Sequence, residues 1–147
     1  MKSSGTFPQL ETKRLILREI GLQDAEGVFQ NFSDEEITDI IGMGSLSTLK
    51  DAEEIIGEFQ AYFEKGTGLA WAVVLKENDR FIGICTYEEL DKHNSRGEIG
   101  YDLLRDYWGK GLMSEALRAV ISYGFEELEL NRIDAHTFLL TRNHEKC

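Results

Sequence analysis

The hydrophobic positions in the first part of the chain follow a two-residue period and then a helical one. Apolar and polar residues alternate from Thr12 to Ile20, which predicts a β-strand. An apolar stripe at i, i+3, i+4 and i+7 then predicts a helix, with members Ala25, Val28, Phe29 and Phe32. A second stripe over residues 52–63 predicts another helix, with Ser47 or Thr48 as its N-cap and Gly66 as its end.

The second half of the chain begins with short apolar runs separated by polar turns, which is typical of antiparallel strands. These runs are residues 69–75, 81–87 and 98–104. A helical stripe from Met113 to near Glu127 follows, and residues 132–140 predict a last strand. A right-handed crossover would place this strand parallel to the one before the helix. The pattern predicts an α/β (α+β) fold, with a mixed, mostly antiparallel sheet flanked by helices.

Composition narrows the class of protein. A chain of 147 residues with 41% hydrophobic residues suits one domain over residues 1–147. The formal charge of −11 argues against nucleic-acid binding and leaves a cationic partner open. No apolar run approaches the ~20 residues of a membrane span, and the first residues lack the apolar core of a signal peptide. Cys85, Cys147 and the three histidines form no metal-binding pattern, so we expect a reduced, cytoplasmic protein without a metal.

The candidate chemistry lies in a glycine-bearing segment between the third strand of the meander and the helix after it. Residues 105–116 are RDYWGKGLMSEA. Glycines let the backbone approach a ligand closely, and the first N–H groups of a helix, together with its dipole, bind anions. The segment therefore favours a phosphate site, although a plain strand-to-helix turn would satisfy the same spacing.

Two common phosphate-binding motifs do not fit this segment. A Walker loop needs Ser or Thr after its lysine and a glycine five places before its second glycine, whereas Gly111 follows Lys110 and Leu104 occupies the earlier place. A Rossmann fingerprint needs Gly or Ala where Ser114 stands. A P-loop nucleotide hydrolase is therefore disfavoured.

Residues 98–116, EIGYDLLRDYWGKGLMSEA, closely resemble the acetyl-CoA-binding motif of the GNAT N-acetyltransferase superfamily. The similarity is greatest to the branch of ribosomal-protein N-terminal (alanine/serine) acetyltransferases. Residues 12–18, TKRLILR, resemble the first strand of that branch, and residues 131–133 resemble the start of its later strand. The resemblance covers about residues 11–143. It implies the acyl-CoA N-acyltransferase fold, with acetyl-CoA in a gap between the third meander strand and the parallel strand after the helix.

By this resemblance, the end of the third meander strand pairs with the pantetheine arm, and amides of the following loop surround the pyrophosphate. The implied cofactor-binding residues are Leu103, Leu104, Tyr107, Trp108, Gly109, Lys110, Gly111, Leu112, Met113, Ser114 and Asn143. Asn143 matches an asparagine that contacts the cofactor arm in many relatives. Asp106 departs from the family's Gln or Arg, so binding would rest on backbone amides, with Arg105 or Lys110 assisting.

Acetyl transfer to an amine requires a base for the amine proton and a donor for the oxyanion. Glu98 matches a position often used as the base in this superfamily, and a backbone N–H near Leu103 suits the oxyanion. Glu98 could equally be a solvated carboxylate, and Asp102 and Glu88 are weaker candidates for the base. The expected activity is acetyl transfer from acetyl-CoA to a primary amine, either a protein N-terminus or a small amine, by direct attack. The alternative is a non-catalytic CoA-binding or structural module of the same fold.

The C-terminal end gives one further expectation. Relatives continue past the loop at Asn143 with a helix and a strand, whereas this sequence ends at Cys147. The predicted strand over residues 132–140 would then be an apolar edge, which favours pairing with another chain. We therefore expect a homodimer.

Overall fold

The computed structural model describes residues 6–32 and 48–137, whose six strands form one sheet in chain order. The strands are β1 (Leu10–Glu11), β2 (Leu15–Glu19), β3 (Leu69–Leu75), β4 (Arg80–Asp91), β5 (Arg96–Leu103) and β6 (Arg132–Thr137). The helices are α1 (Ala25–Phe32), α2 (Leu49–Lys65) and α3 (Leu112–Glu126), with 3-10 turns over Leu22–Asp24 and Arg105–Tyr107. Neighbouring strands are antiparallel except β5 and β6, which are parallel, so the predicted parallel pairing of these two strands is confirmed.

Helix α2 begins and ends at residues that the sequence marks. The Thr48 side chain accepts the N–H of Asp51 at 3.2 Å, and the Asp51 carboxylate accepts the N–H of Thr48 at 3.1 Å. This reciprocal capping box satisfies two helix-end donors. Gly66 ends the helix at φ 76°, a left-handed conformation that glycine adopts without strain. Thr48 is thus the N-cap, and Ser47 lies outside the described residues.

The sheet separates two apolar layers. One layer lies under α3 and includes Trp71, Met113 and Val120, each fully buried. The other lies under α1 and α2 and includes Val28 and Ile56. Alternation along β5 sends Ile99, Tyr101 and Leu103 toward α3, and therefore Glu98, Gly100 and Asp102 toward α1 and α2. The acidic residues of β5 thus share one face of the sheet.

The first strand is shorter than its pattern predicts. Thr12 donates its N–H to the Leu15 carbonyl at 2.9 Å, and its hydroxyl accepts the Leu15 N–H at 3.1 Å. These bonds make residues 12–14 a turn, so β2 starts at Leu15 and pairs with the short strand β1, which the sequence analysis missed. A side-chain hydroxyl that bonds nearby backbone commonly competes with a strand in this way.

Strands β4 and β5 are longer than predicted. They extend to Asp91 and from Arg96, and Asp91 accepts hydrogen bonds from Asn94 in the turn between them. The predicted continuation of β6 to Leu140, together with Asn143 and Cys147, lies outside the described residues. Within residues 6–32 and 48–137, no helix combines the length and the apolar character that crossing a bilayer requires.

Candidate functional site

The end of β5 presents backbone groups toward the β6 side of the sheet. Leu104 donates its N–H to the Ile82 carbonyl of β4 at 2.8 Å, which puts Leu103 at a non-hydrogen-bonded position against β4. The N–H and carbonyl of Leu103 therefore point away from β4. The described β5–β6 pairing ends at Tyr101 and Thr137, so Leu103 lies beyond its last pair. An extended ligand can add to the sheet at this edge.

Both backbone groups of Leu103 have partners within the chain. The N–H donates to Asp102 Oδ1 at 2.8 Å, and the carbonyl accepts from Trp108 Nε1 at 2.7 Å. The carbonyl has a second lone pair for a ligand, whereas the N–H makes one bond. A ligand that uses this N–H must therefore displace the Asp102 carboxylate, which is 1% exposed.

The loop after β5 forms an open N-terminus for α3. Gly109 and Gly111 have φ values of 78° and 76°, which glycine adopts without strain. The N–H of Glu115 makes a helical bond to the Gly111 carbonyl at 3.1 Å, whereas the first N–H groups of a helix have no partner within the helix itself. A Cβ built on Gly109 meets no atom of the described residues within 4 Å. The loop is therefore accessible and suited to an anion.

Two aromatic residues support this loop with their side chains. These residues are Tyr107 and Trp108. The backbone N–H of Tyr107 donates to the Leu104 carbonyl at 2.9 Å, and that of Trp108 donates to the Arg105 carbonyl at 3.1 Å. Lys110 Nζ lies 5.5 Å from the centre of the Tyr107 ring, and the Arg105 guanidinium carbon lies 5.4 Å from that of Trp108. These are cation–π distances, so each ring holds a cation beside the loop.

The first turn of α3 anchors the loop to the core. Leu112 is 3% exposed and Met113 is fully buried, with the Met113 sulfur 3.5 Å from the Cys85 thiol. Ser114 is half-buried. A ligand therefore meets the backbone of Leu112 and Met113 rather than their side chains.

A cluster that the sequence analysis missed lies beside the loop. Glu115 accepts hydrogen bonds from the Thr12 hydroxyl, from the Arg14 N–H at 2.8 Å and from Arg14 Nε at 2.7 Å. Burial alone would raise the pKa of the Glu115 carboxyl, but the bonds from Thr12 and Arg14 outweigh it and lower the pKa from 4.5 to about 2. The carboxylate thus stays ionised and ties the β1–β2 turn to α3.

We expect this cluster to stabilise the fold in a pH-dependent way. Because the pKa of Glu115 is depressed on folding, its contribution is complete above pH 4.5 and is lost as the pH falls toward 2. Arg14 is 46% exposed, so we expect Glu115→Gln to lower the free energy of unfolding at pH 7 by about 2 kcal/mol. Urea titrations across this pH range measure the difference.

Glu54→Gln, at an exposed position of α2, is the control for loss of one charge. The gap between the wild type and Glu115→Gln should close toward pH 2, while Glu54→Gln should follow the wild type throughout. A gap that stays constant from pH 7 to pH 3 would contradict the assignment to Glu115.

Carboxylates form a row on the face of the sheet that carries Glu98. In register, Glu98 lies opposite Glu88 of β4 on one side and Asp134 of β6 on the other. Glu98 is half-buried. A strand rises about 3.3 Å per residue, so the Cα atoms of Glu98 and Leu103 are roughly 16 Å apart. The structure thus places Glu98 in a negative row but does not bring it next to the Leu103 N–H, where Asp102 lies.

Comparison with known proteins shows the family to which the chain belongs. The family model described as acetyltransferase (GNAT) domain matches residues 14–144. The chain belongs to the GNAT acetyltransferase family. The GNAT chain is 38% identical over 132 residues to the uncharacterized N-acetyltransferase YoaA of Bacillus subtilis, covering 90% of this chain and 75% of that protein. A shorter match of 65 residues, at 32% identity, is to the ribosomal-protein-serine acetyltransferase of Escherichia coli, covering 44% of this chain and 36% of that one.

Solved structures confirm the predicted fold class. A GNAT-family acetyltransferase from Bacillus anthracis superposes with a TM-score of 0.75 at 26% identity, covering 87% of this chain and 72% of that one. The spermidine N-acetyltransferase of Vibrio cholerae, solved with CoA and spermine, has a TM-score of 0.70 at 17% identity, covering 82% and 69%. The family match and these relatives show that the GNAT chain is an acetyl-CoA-dependent acetyltransferase.

Proposed function

We propose that this acetyltransferase moves the acetyl group of acetyl-CoA to a primary amine by direct attack of the amine nitrogen. The observation that carries the proposal is the continuity of two features, the strand edge at Leu103 beyond the last described β5–β6 pair and the loop over residues 109–114. The edge suits the acyl end of the pantetheine arm, where the thioester carbonyl would take the place of the Asp102 carboxylate at the Leu103 N–H. The loop suits the pyrophosphate. Asn143 remains part of the proposed arm contact.

The acceptor is proposed to be a cationic amine, either a protein N-terminus or a small amine. The row of Glu88, Glu98 and Asp134 has a net negative charge even with Arg132, which pairs with Asp134 at 3.2 Å, and the chain as a whole carries −11. A row of this sign attracts an ammonium group. The names of two relatives fit either acceptor, since one is a ribosomal-protein-serine acetyltransferase and the other a spermidine N-acetyltransferase.

In the proposed reaction, the ammonium group of the acceptor must lose one proton before the C–N bond forms. Glu98 takes it from the ammonium group through a relay of several waters, because the Cα atoms of Glu98 and Leu103 lie roughly 16 Å apart along the strand. The neutral nitrogen then attacks the thioester carbonyl, whose oxyanion the Leu103 N–H stabilises. The C–N bond forms as the C–S bond breaks, and CoA leaves as a thiolate that takes up the second proton, which the nitrogen loses as the amide forms.

The test is incubation with acetyl-CoA and a panel of amines that contains peptides with free N-termini and small polyamines, followed by mass spectrometry. Acetylated product is expected for at least one class and identifies the acceptor. CoA binding without transfer to any amine would instead favour the alternative, a non-catalytic CoA-binding module.

We expect the glycines of the loop to be required for CoA binding. Gly109→Val and Gly111→Val each place a β-branched residue at a positive φ, where it is strained, and add a side chain where the backbone approaches phosphate. Each should weaken the binding of CoA at least tenfold by calorimetry. Gly57→Val, on α2 with open space around it, is the matched control and should bind like the wild type. Unchanged affinity in both folded loop variants would contradict the site.

We also propose that the chain acts in the cytoplasm as a homodimer formed through β6, the terminal strand of the described sheet. An unpaired strand edge is a common route to self-association. Light scattering at low micromolar concentration should give the mass of a dimer, and a monomeric mass would contradict the proposal.

A further inference from the structure

We infer that Arg14 is a positioning residue for the phosphates of acetyl-CoA, held at the loop by Glu115 and Thr12. This inference rests on the proposed function, because it assumes that the loop over residues 109–114 binds the pyrophosphate. It deepens that proposal by assigning a residue from the opposite end of the chain to the same site.

The contacts of Arg14 fix the orientation of one peptide unit in the loop. Nη1 donates to the Lys110 carbonyl at 3.3 Å, and Nη2 lies 3.7 Å from the position of a Cβ on Gly111. The peptide between Lys110 and Gly111 is planar and trans, so its N–H points opposite to its carbonyl. Drawing the carbonyl toward Arg14 therefore turns the Gly111 N–H to the other side of the loop. That N–H is one of those proposed to meet the pyrophosphate.

The place of Arg14 is itself tightly determined. Glu115 binds both the N–H and Nε of Arg14, and it also accepts from Thr12 in the same turn. A carboxylate with three donors holds a guanidinium in one orientation, which a single surface ion pair does not. The Arg14 side chain is nevertheless 46% exposed, so its charge faces the space beside the loop.

The distribution of charge around the loop also favours a role for Arg14 in binding an anion. Asp106 places a negative charge in the loop, and Lys110 and Arg105 lie over the rings of Tyr107 and Trp108. Glu115 balances the charge of Arg14, but the Nη1 atom of the guanidinium lies on the loop side of the pair, at the N-terminus of α3 where the helix dipole is also positive. The guanidinium and the helix dipole thus both present their positive side to the proposed phosphate site.

The experiment measures CoA binding by calorimetry and acetyl transfer by steady-state kinetics. Arg14→Gln should weaken CoA at least tenfold and raise the KM for acetyl-CoA to match, with kcat within about threefold of the wild type. The ratio of kcat/KM for acetyl-CoA to that for S-acetylpantetheine, which carries no phosphate, should fall at least tenfold. Arg14→Lys keeps the charge and should lose less than fivefold in affinity. Circular dichroism shows whether each variant is folded.

Lys76→Gln is the matched control, because it also removes one positive charge and breaks an ion pair, that with Glu11 at 2.6 Å. It should leave the affinity for CoA and the donor ratio unchanged. A wild type that binds no CoA would overturn both the proposed function and this inference. A wild type that binds CoA beside a folded Arg14→Gln of equal affinity would overturn the inference alone. An Arg14→Lys variant as weak as Arg14→Gln would overturn the role of the charge.

Discussion

Glu98→Gln is expected to lower the rate of acetyl transfer on the order of 10²-fold at neutral pH. The substitution keeps the size of the side chain and removes its capacity to accept a proton. The loss should shrink at high pH, where more of the amine is already neutral. The pH–rate profile, measured with the acceptor that the mass spectrometry identifies, is the deciding measurement.

Asp102→Asn is the matched control for Glu98→Gln, since both replace a carboxylate of β5 on the same face by its amide. The amide oxygen of the substituted side chain would still accept the Leu103 N–H, so we expect a smaller effect on the rate. A large loss in Asp102→Asn with an unchanged profile in Glu98→Gln would move the base to Asp102, the carboxylate nearer the proposed oxyanion site.

Asp24→Ala is expected to lower the free energy of unfolding by about 3 kcal/mol, which corresponds to a melting temperature lower by roughly 10 °C. Asp24 is 2% exposed, and its two oxygens bind Arg18 at 2.8 and 2.9 Å. It also accepts the Gly21 N–H at 3.0 Å. The substitution leaves the partly buried guanidinium of Arg18 without its partner and opens the start of α1.

Differential scanning calorimetry tests this expectation. Glu11→Ala breaks the ion pair between Glu11, whose side chain is 63% exposed, and Lys76, whose side chain is 34% exposed. It should lower the free energy of unfolding by less than about 1 kcal/mol. Equal shifts in melting temperature for Asp24→Ala and Glu11→Ala would show that burial does not set the strength of the Arg18–Asp24 pair.

Much of the fold follows from local sequence features, namely apolar periodicity, helix caps and glycine positions. The apolar stripes of α1 to α3, the Thr48 cap and the Gly66 stop each depend on residues a few positions apart. The glycine loop before α3 is similarly local, so its motif predicted the family, which the comparisons show, and a phosphate site, which stays a prediction. The start of β2 was wrong because the Thr12 hydroxyl bonds to backbone within its own turn, and hydrophobic alternation does not register such a bond.

The amino-acid sequence alone thus determined the order of the elements from β2 onward, the parallel crossover and the loop, because period, capping and glycine placement act over short distances. Only the tertiary structure decided which side chains contact the loop and the end of β5. Arg14 and Glu115 are 101 positions apart, and nothing local to either predicts their pairing. The sequence analysis also predicted that the Leu103 N–H binds a ligand. In the folded strand this N–H donates a hydrogen bond to the Asp102 carboxylate. Contacts of these kinds depend on register and side-chain direction, which are set when the sheet and α3 pack together.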